Sequence, residues 1–287
     1  MDIIIHYSAK RSETGKDGKA PRRRNLHFQR DPMKQLEVRN LNKTFYSAGK
    51  EQHVVRDVSF ALEKGEFLGL VGESGCGKST IAKLLVGLIR PDSGQIFLDG
   101  EELRCPYPKA VYRKIQMVFQ MPRESLDPRQ RIGKCLKSIL TNFGASRAEA
   151  ESSAVDLLER VGLDKSYLNK LPGEMSGGEC QRAAIARALA ARPEILICDE
   201  VTSALDVSVQ AQITDLLLSL KEEGKVSMLF ISHDLALVQG ICDNLLVMRG
   251  GAFEETGSCR EILSAPASAY TQMLIDSVFE VRDVGQT

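Results

Sequence analysis

The stretch VGESGCGKST, at positions 71–80, limits the possible folds of this chain more than any other feature. It fits the pattern G-x-x-x-x-G-K-[ST], and it follows FLGLV at 67–71, an apolar run typical of a buried strand. A run typical of a helix comes next, at 81–88. Glycines let successive N–H groups turn inward, and the helix N-terminus adds its positive dipole end. The pattern therefore predicts an α/β protein whose loop binds a phosphate.

The side chains of this loop are predicted to make different contacts with a nucleotide. We expect Lys78 to reach the β- and γ-phosphates, Ser79 to offer its hydroxyl to Mg²⁺, and Thr80 to contact a phosphate oxygen. The other predicted nucleotide-binding positions are Gly72, Ser74, Gly75, Cys76 and Gly77. Cys76 fills a variable position, and we interpret its thiol as inert rather than catalytic. A plain glycine-rich turn is the alternative, but it would need neither the lysine nor the hydroxyl.

A phosphate-binding loop alone does not predict hydrolysis, which also needs a carboxylate near the metal and a base to orient water. The run ILICDE, at 195–200, reads as a buried strand that ends in two acids. We expect Asp199 to hold Mg²⁺ through water and Glu200 to polarise the attacking water. Two solvated acids at a strand end are the alternative interpretation, and the phosphate-binding loop favours the functional one.

Composition excludes several classes of protein. Lys and Arg total 38 and Asp and Glu total 38, so the overall charge does not favour nucleic acid as a partner. The seven cysteines include no C-x-x-C pair, which argues against a disulfide framework or a zinc site. No apolar run approaches the roughly 20 residues of a membrane span, and the N-terminus does not fit a signal peptide. We expect a soluble, intracellular chain.

The composition and hydrophobic periodicity of the sequence change along the chain. Residues 1–32 are basic and aperiodic and are predicted to be a disordered tail, which leaves Met33 open as the true start. An α/β pattern occupies 33–265 and is interrupted at about 121–181 by a helical insert. Within the insert, Ala154, Leu158 and Val161 share one face of a helix predicted over 148–161. Residues 266–287 form a C-terminal tail.

The segment MSGGECQR, at 175–182, resembles the LSGGQ-x-QR signature of ATP-binding cassette (ABC) ATPases. The other motifs of that family follow in its order, over about 36–278: an aromatic residue, Walker A, a Q-loop, the signature, Walker B, a D-loop and an H-loop. The resemblance implies a P-loop NTPase fold with a RecA-like core, an antiparallel β subdomain and a helical subdomain. The positions that carry it are Phe45 or Tyr46, 72–79, Gln120, 176–182, Asp199 with Glu200, 203–206 and His233.

The resemblance also implies roles for these residues. Two cassettes would enclose ATP in a head-to-tail dimer, with each signature acting on the partner's γ-phosphate. The signature positions are Ser176, Gly177, Gly178 and Glu179, and Asp206 of the D-loop would reach across the same interface. Gln120 would contact the metal or the water, and His233 would bind the γ-phosphate and position Glu200. Phe45 should stack on adenine, with Tyr46 as the alternate; an ordinary edge-strand aromatic is the other interpretation.

A narrower resemblance is to the dipeptide, oligopeptide and nickel importer branch, and to the second of its two paired ATPases. ESLDPRQRIG at 124–133, TSALDVSVQAQI at 202–213 and APASAYTQMLIDSV at 265–278 carry it, with Ser268 and Ala269 where that branch usually has His-Pro. The resemblance implies an ATPase that drives import of peptides, nickel or a metal chelate. Its partners would be a related ATPase, two membrane-spanning permeases and, indirectly, an extracytoplasmic binding protein, and its place the cytoplasmic face of the inner membrane.

Two alternatives stay open: an ATPase docked on a soluble enzyme complex of the phosphonate-breakdown type, and a partner subunit that hydrolyses ATP weakly. The second is raised by Glu179, which replaces the usual signature Gln. A carboxylate there weakens the attraction for the partner's γ-phosphate unless it points away or pairs, for example with Arg182. Val201 also replaces the common Pro after the Walker B glutamate, a change that we expect to matter little.

Overall fold

The computed structural model describes residues 34–47, 49–203 and 205–283. The predicted disordered tail and Met33 lie outside them, as do the last four residues. The described part contains ten β-strands: β1 Lys34–Ser47, β2 Lys50–Glu63, β3 Phe67–Val71, β4 Ser93–Leu98, β5 Glu101–Glu102, β6 Ile115–Val118, β7 Ile195–Asp199, β8 Ser227–Ile231, β9 Asn244–Arg249 and β10 Ala252–Ser258.

The same residues contain nine α-helices: α1 Lys78–Leu85, α2 Lys109–Lys114, α3 Ile132–Asn142, α4 Arg147–Arg160, α5 Gly177–Ala190, α6 Val207–Glu222, α7 Leu235–Ile241, α8 Cys259–Ser264 and α9 Ala269–Asp283. None of the helices in the part of the chain that is described is long and apolar enough to span a bilayer.

A six-stranded sheet forms the centre of the molecule, in the order β10-β9-β3-β8-β7-β6. β3, β6, β7, β8 and β9 are parallel, and β10 joins one edge in antiparallel orientation. Parallel sheets are covered on both faces, and successive side chains of a strand point to opposite faces. On β3, accordingly, Phe67 and Val71 belong to one apolar cluster, while Leu68 and Leu70 belong to the other.

A second, antiparallel sheet, in the order β2-β1-β4-β5, covers one face of the central sheet. Helix α1 contributes to the apolar cluster between the two sheets, with Ile81, Leu84 and Leu85 fully buried. The segment FLGLV, predicted to be a buried strand, is β3 from end to end. The predicted fold class is therefore confirmed in its core and in its antiparallel part.

The helical insert contains α3, α4 and the start of α5, together with short 3-10 turns. The helix predicted over 148–161 is α4, which begins with a capping box at Ser146 and Glu149 and buries Ala154 and Leu158. The upper limit predicted for the insert, at 181, falls inside α5, which runs on to Ala190. Small alanines in the second half of α5 let the helix pack closely in the core, and they could not signal a boundary.

The C-terminal segment packs on the same core. In α9, Tyr270 is 4% exposed and Ile275 is 6% exposed, and both belong to the apolar cluster on the helical side of the central sheet. The first part of the predicted C-terminal tail is thus a helix held by buried side chains.

Candidate active site

The glycine loop between β3 and α1 has the backbone geometry of a phosphate cradle. Gly72 and Gly77 have φ of 150° and 115°, which side chains rarely adopt. A Cβ on Gly72 would lie 2.1 Å from the carbonyl oxygen of Met248, and one on Gly77 would lie 2.5 Å from that of Val54. Both positions therefore need glycine for conformation and for space. The intervening Ser74 and Gly75 are exposed, so the tip of the loop is open to a ligand.

Lys78 lies at the bottom of this loop and is only 4% exposed. Its Nζ donates to the carbonyl oxygens of Gly72, at 2.7 Å, and Glu73, at 2.9 Å. No carboxylate forms an ion pair with it among the residues that the structure describes. The Cys76 sulfur, at 3.9 Å, is its third partner, and all three are neutral. A buried ammonium without a counter-charge is poorly compensated and favours an anionic ligand. The loop thus fits a nucleotide phosphate.

Burial raises the pKa of the Cys76 thiol, although the nearby Lys78 opposes the shift. The thiol is 8% exposed. A protonated, buried thiol is a poor nucleophile, which agrees with the interpretation of Cys76 as inert.

A hydroxyl and a carboxylate meet beside the loop. Ser79 Oγ donates to Asp199 Oδ1 at 3.0 Å, and Asp199, at the end of β7, is 3% exposed. Burial raises the pKa of Asp199 and the neighbouring Glu200 raises it further, while the Ser79 hydrogen bond lowers it. Oxygen donors of this kind suit Mg²⁺, and a divalent cation would relieve the cost of the buried carboxylate. The donor set therefore fits the predicted metal.

Glu200 lies next to Asp199, is hydrogen-bonded to two other parts of the chain and lies near a third. The backbone N–H of Glu200 donates to the carbonyl of Ile231, the last residue of β8, at 3.0 Å. Its Oε2 accepts from Gln120 Nε2 at 2.7 Å and lies 3.8 Å from His233 Nδ1, which is beyond hydrogen-bond distance. The three predicted catalytic residues are thus together at the carboxyl ends of neighbouring parallel strands, where α/β proteins bind ligands.

The backbone of Glu200 is itself unusual, with φ of 47°. Non-glycine residues in this left-handed region are uncommon and cluster at functional sites. No feature of the sequence indicated this conformation. Gln120, also predicted as a metal ligand, is hydrogen-bonded to Glu200, and its contact with a metal stays a prediction.

The signature residues begin α5. Ser176 is the N-cap: its Oγ accepts from the N–H of Glu179 at 3.3 Å, and its own N–H donates to Glu179 Oε2 at 2.8 Å. Ser176 and Gly177 are exposed, and a Cβ on Gly177 would meet nothing within 4 Å. The start of this helix is therefore an accessible N-terminus of the kind that binds anions.

The signature and the D-loop are adjacent. A Cβ on Gly178 would lie 2.7 Å from Cγ1 of Val209, in the first turn of α6. Asp206 caps that turn by accepting from the Val209 N–H at 2.9 Å. The next residue, Val207, is 83% exposed, an unusual position for a large apolar side chain. The two motifs therefore form one continuous surface.

The partner suggested for Glu179, Arg182, is wrong. Arg182 Nη1 donates to Gln212 Oε1 at 2.8 Å, whereas Glu179 Oε1 accepts from the Tyr167 hydroxyl. With the Ser176 N–H on Oε2, both carboxylate oxygens of Glu179 are engaged. The Tyr167 hydrogen bond, followed by the Ser176 N–H, lowers the pKa of Glu179, so the side chain is charged. The sequence distance of 12 residues gave no signal for this pairing.

The two candidate adenine-stacking residues lie near the β1–β2 turn. Phe45 is 39% exposed and Tyr46 is 77% exposed, and Lys43 Nζ lies 5.5 Å from the centre of the Phe45 ring. The β1–β2 hairpin reaches the glycine loop at Val54, whose carbonyl faces Gly77. Stacking of either ring on adenine stays a prediction.

Comparison with known proteins agrees with this geometry. A sequence profile of the family described as "ABC transporter" matches residues 55–203. The oligopeptide transport ATP-binding protein OppF of Haemophilus influenzae is 42% identical over 248 residues, covering 85% of this chain and 75% of OppF. The oligopeptide transport ATP-binding protein AppF of Bacillus subtilis is 42% identical over 262 residues, covering 87% of this chain and 80% of AppF.

Among solved structures, the dimeric ATP-binding cassette MJ0796 in a post-hydrolysis state, bound to ADP and Pi, matches with a TM-score of 0.70. It is 28% identical, and the match covers 78% of this chain and 99% of the cassette. The glycine loop, the carboxylates after β7 and the signature helix agree with these similarities. The chain therefore belongs to the ABC transporter family, as an ATPase subunit of the kind that drives transport.

Proposed function

We propose that this chain hydrolyses ATP to drive an importer of peptides, by closing on a second, related cassette around two nucleotides. The observation that carries the proposal is the cluster at Glu200: a carboxylate fixed by Gln120, near His233, and next to the Ser79–Asp199 pair. Relatives named for oligopeptide transport support peptides as the cargo. Nickel or a metal chelate stays an alternative cargo, on the resemblance of the sequence alone.

The chemistry follows from where these side chains lie. Lys78 and the N–H groups of the glycine loop bind the phosphates. Ser79 and Asp199 would hold Mg²⁺, which would supply positive charge to neutralise the phosphates. Glu200 Oε1 accepts no hydrogen bond from the described residues, so it is the oxygen that orients the attacking water. His233, whose side chain is 60% exposed, is free to contact the γ-phosphate.

The exposed surface formed by Ser176, Gly177, Asp206 and Val207 supports the closing step. Its helix N-terminus offers N–H groups to a phosphate held by the partner cassette. The dimeric state of MJ0796 is in keeping with this arrangement. Gln120 leads from the catalytic carboxylate into the helical insert, so closure and hydrolysis reach the permeases through that insert, at the cytoplasmic face of the membrane.

The relatives described above are transport subunits, which gives no support to docking on a soluble enzyme complex. A weakly hydrolysing partner subunit is also disfavoured, because the carboxylate of Glu179 is engaged by Tyr167 and Ser176 instead of being free.

The test is Glu200→Gln, with Glu222→Gln as the matched control, an exposed glutamate at the end of α6. The chain, its partner ATPase and the permeases are purified together and reconstituted with the binding protein. We expect Glu200→Gln to bind ATP, to accumulate a closed dimer and to lose ATP hydrolysis and peptide uptake, while the control matches the wild type. Hydrolysis at the wild-type rate in Glu200→Gln would contradict the role of Glu200, and uptake of nickel but not peptide would replace the proposed cargo.

A further inference from the structure

Tyr270, in the first turn of α9, contacts the glycine loop at Glu73, which is 197 positions earlier in the sequence. Its hydroxyl oxygen accepts a hydrogen bond of 3.2 Å from the backbone N–H of Glu73. The ring is buried, and the guanidinium of Arg249, at the end of β9, lies 4.7 Å from its centre. This cation–π contact favours the ring orientation in which the hydroxyl faces the loop.

The N–H of Glu73 belongs to the same peptide unit as the carbonyl of Gly72. That carbonyl accepts from Lys78 Nζ at 2.7 Å. Tyr270 therefore holds one end of the peptide unit and the phosphate-binding lysine is held by the other end. Because hydrogen bonds in a chain polarise one another, an acceptor on the N–H strengthens the carbonyl as an acceptor for Lys78.

One face of α9 lies beside the residues of the proposed nucleotide site. Leu274 and Ser277 come four and seven residues after Tyr270, a spacing that places all three on one side of a helix. Leu274 and Ser277 line a cavity of about 200 Å³ together with Ser74 and His233. The helix thus lies beside both the glycine loop and His233.

The position of α9 is fixed by β10. The carboxylate of Glu255 accepts from the N–H groups of Ala267, at 2.8 Å, and Ser268, at 3.2 Å. Ser268 Oγ donates to Glu254 Oε1 at 3.0 Å and accepts from the Tyr270 N–H at 3.1 Å. Tyr270 is therefore attached to the central sheet on one side and to the glycine loop on the other.

We propose that Tyr270 is a positioning residue of the nucleotide site: through the Gly72–Glu73 peptide unit it holds the glycine loop and Lys78 in the phosphate-binding geometry. The C-terminal helix thereby becomes part of the site, and the affinity of this chain for nucleotide depends on how α9 is seated. This inference rests on the proposed function only in that the chain binds a nucleotide phosphate.

The test is Tyr270→Phe in the full-length chain, because phenylalanine keeps the ring and its contact with Arg249 and removes only the acceptor oxygen. The control is Thr271→Val, which removes a neighbouring hydroxyl, on a residue 2% exposed, from the same turn of α9. Three quantities are measured for each: the affinity for MgADP, the urea midpoint of unfolding, and hydrogen exchange in a peptide covering the loop.

We expect Tyr270→Phe to weaken MgADP binding about 3- to 10-fold, the range that a single net hydrogen bond supplies. Exchange at the loop should become faster without nucleotide, and the control should bind MgADP within about two-fold of the wild type. Unchanged affinity and exchange in Tyr270→Phe would overturn the proposal, and so would equal weakening in Thr271→Val, which would indicate general loosening of α9. Absence of MgADP binding in the wild type would instead contradict the proposed function.

Discussion

Gln120 Nε2 donates a 2.7 Å hydrogen bond to Glu200 Oε2, across 80 residues of sequence. The donor is exposed at the entrance to the helical insert, and the acceptor is the proposed catalytic base at the end of the core strand β7. The bond joins the two parts of the molecule at the atom that must be oriented for hydrolysis.

Gln120→Ala should lower kcat for ATP hydrolysis by at least about 10-fold, because misplacing a catalytic group by about 1 Å can cost about 100-fold. Nucleotide affinity should stay within about two-fold, since Lys78 and the glycine loop are untouched. Gln116→Ala is the matched control: Gln116 lies four residues earlier and donates to the backbone of Tyr112. Equal losses in both variants would show that Gln120 acts only through the stability of this segment.

Lys78→Met should separate binding from stability. The ammonium is buried and held by neutral carbonyls, so its replacement by an apolar chain of similar length should leave the nucleotide-free protein equally or more stable. Affinity for MgATP should fall about 10- to 150-fold, as for a lost charged hydrogen bond. Urea unfolding and nucleotide titration of the same preparation check both. A clear loss of stability without nucleotide would contradict the view of Lys78 as a poorly compensated charge.

Tyr167→Phe should impair the partner's site rather than this chain's own. Removing the hydroxyl frees one oxygen of Glu179, whose charge then faces the phosphate site proposed at the start of the signature helix. We expect the ATPase rate of the assembled pair to fall about 2- to 10-fold, in line with one hydrogen bond. The measurement is the rate of a pair in which only the partner's Walker B glutamate is intact.

The double variant Tyr167→Phe with Glu179→Gln identifies the cause. If the liberated charge is responsible, the neutral side chain restores the rate. A rate that stays low in the double variant would assign the loss to packing of the 3-10 turn around Tyr167.

Gly178→Ala should disturb the joint surface of the signature and the D-loop. The new Cβ would lie 2.7 Å from Cγ1 of Val209, and a β-branched side chain in a helix has little rotamer freedom to give way. We expect a loss of about 1–3 kcal/mol in the free energy of unfolding. We also expect the ATPase rate of the pair to fall by more than the unfolded fraction accounts for. Val209→Ala in the same chain makes room for the new Cβ, so the double variant should recover both stability and ATPase rate. If it does not, the contact with Val209 is not the reason that position 178 needs glycine.

The sequence was sufficient for the parts of the site that depend on local order. A strand, a glycine loop and a helix are contiguous at 67–85, so residue types alone predicted the cradle around Lys78. Asp199 and Glu200 come at the end of an apolar run that the sequence predicted to be a buried strand, and that run is β7. These elements can be predicted without knowing which residues pack against them.

The contacts that sequence reasoning missed are those set by tertiary packing. Tyr167 meets Glu179 because a 3-10 turn folds over the start of α5, and Tyr270 meets the N–H of Glu73 because β10 fixes the start of α9. Glu200 has a left-handed backbone and donates its N–H to Ile231, at the end of another strand. The spacing of residues along the chain does not indicate such tertiary contacts.

Helix α5 has one more consequence, which follows from its length. It contains 14 residues, from the signature at Gly177 to Ala190 beside the core, and so forms a rod of about 21 Å. A rod without an internal break works as a lever: a tilt of about 10° about its inner end displaces the outer end by about 4 Å. Small adjustments where α5 meets the central sheet are thereby magnified at Gly177, where we propose that the partner's phosphate binds.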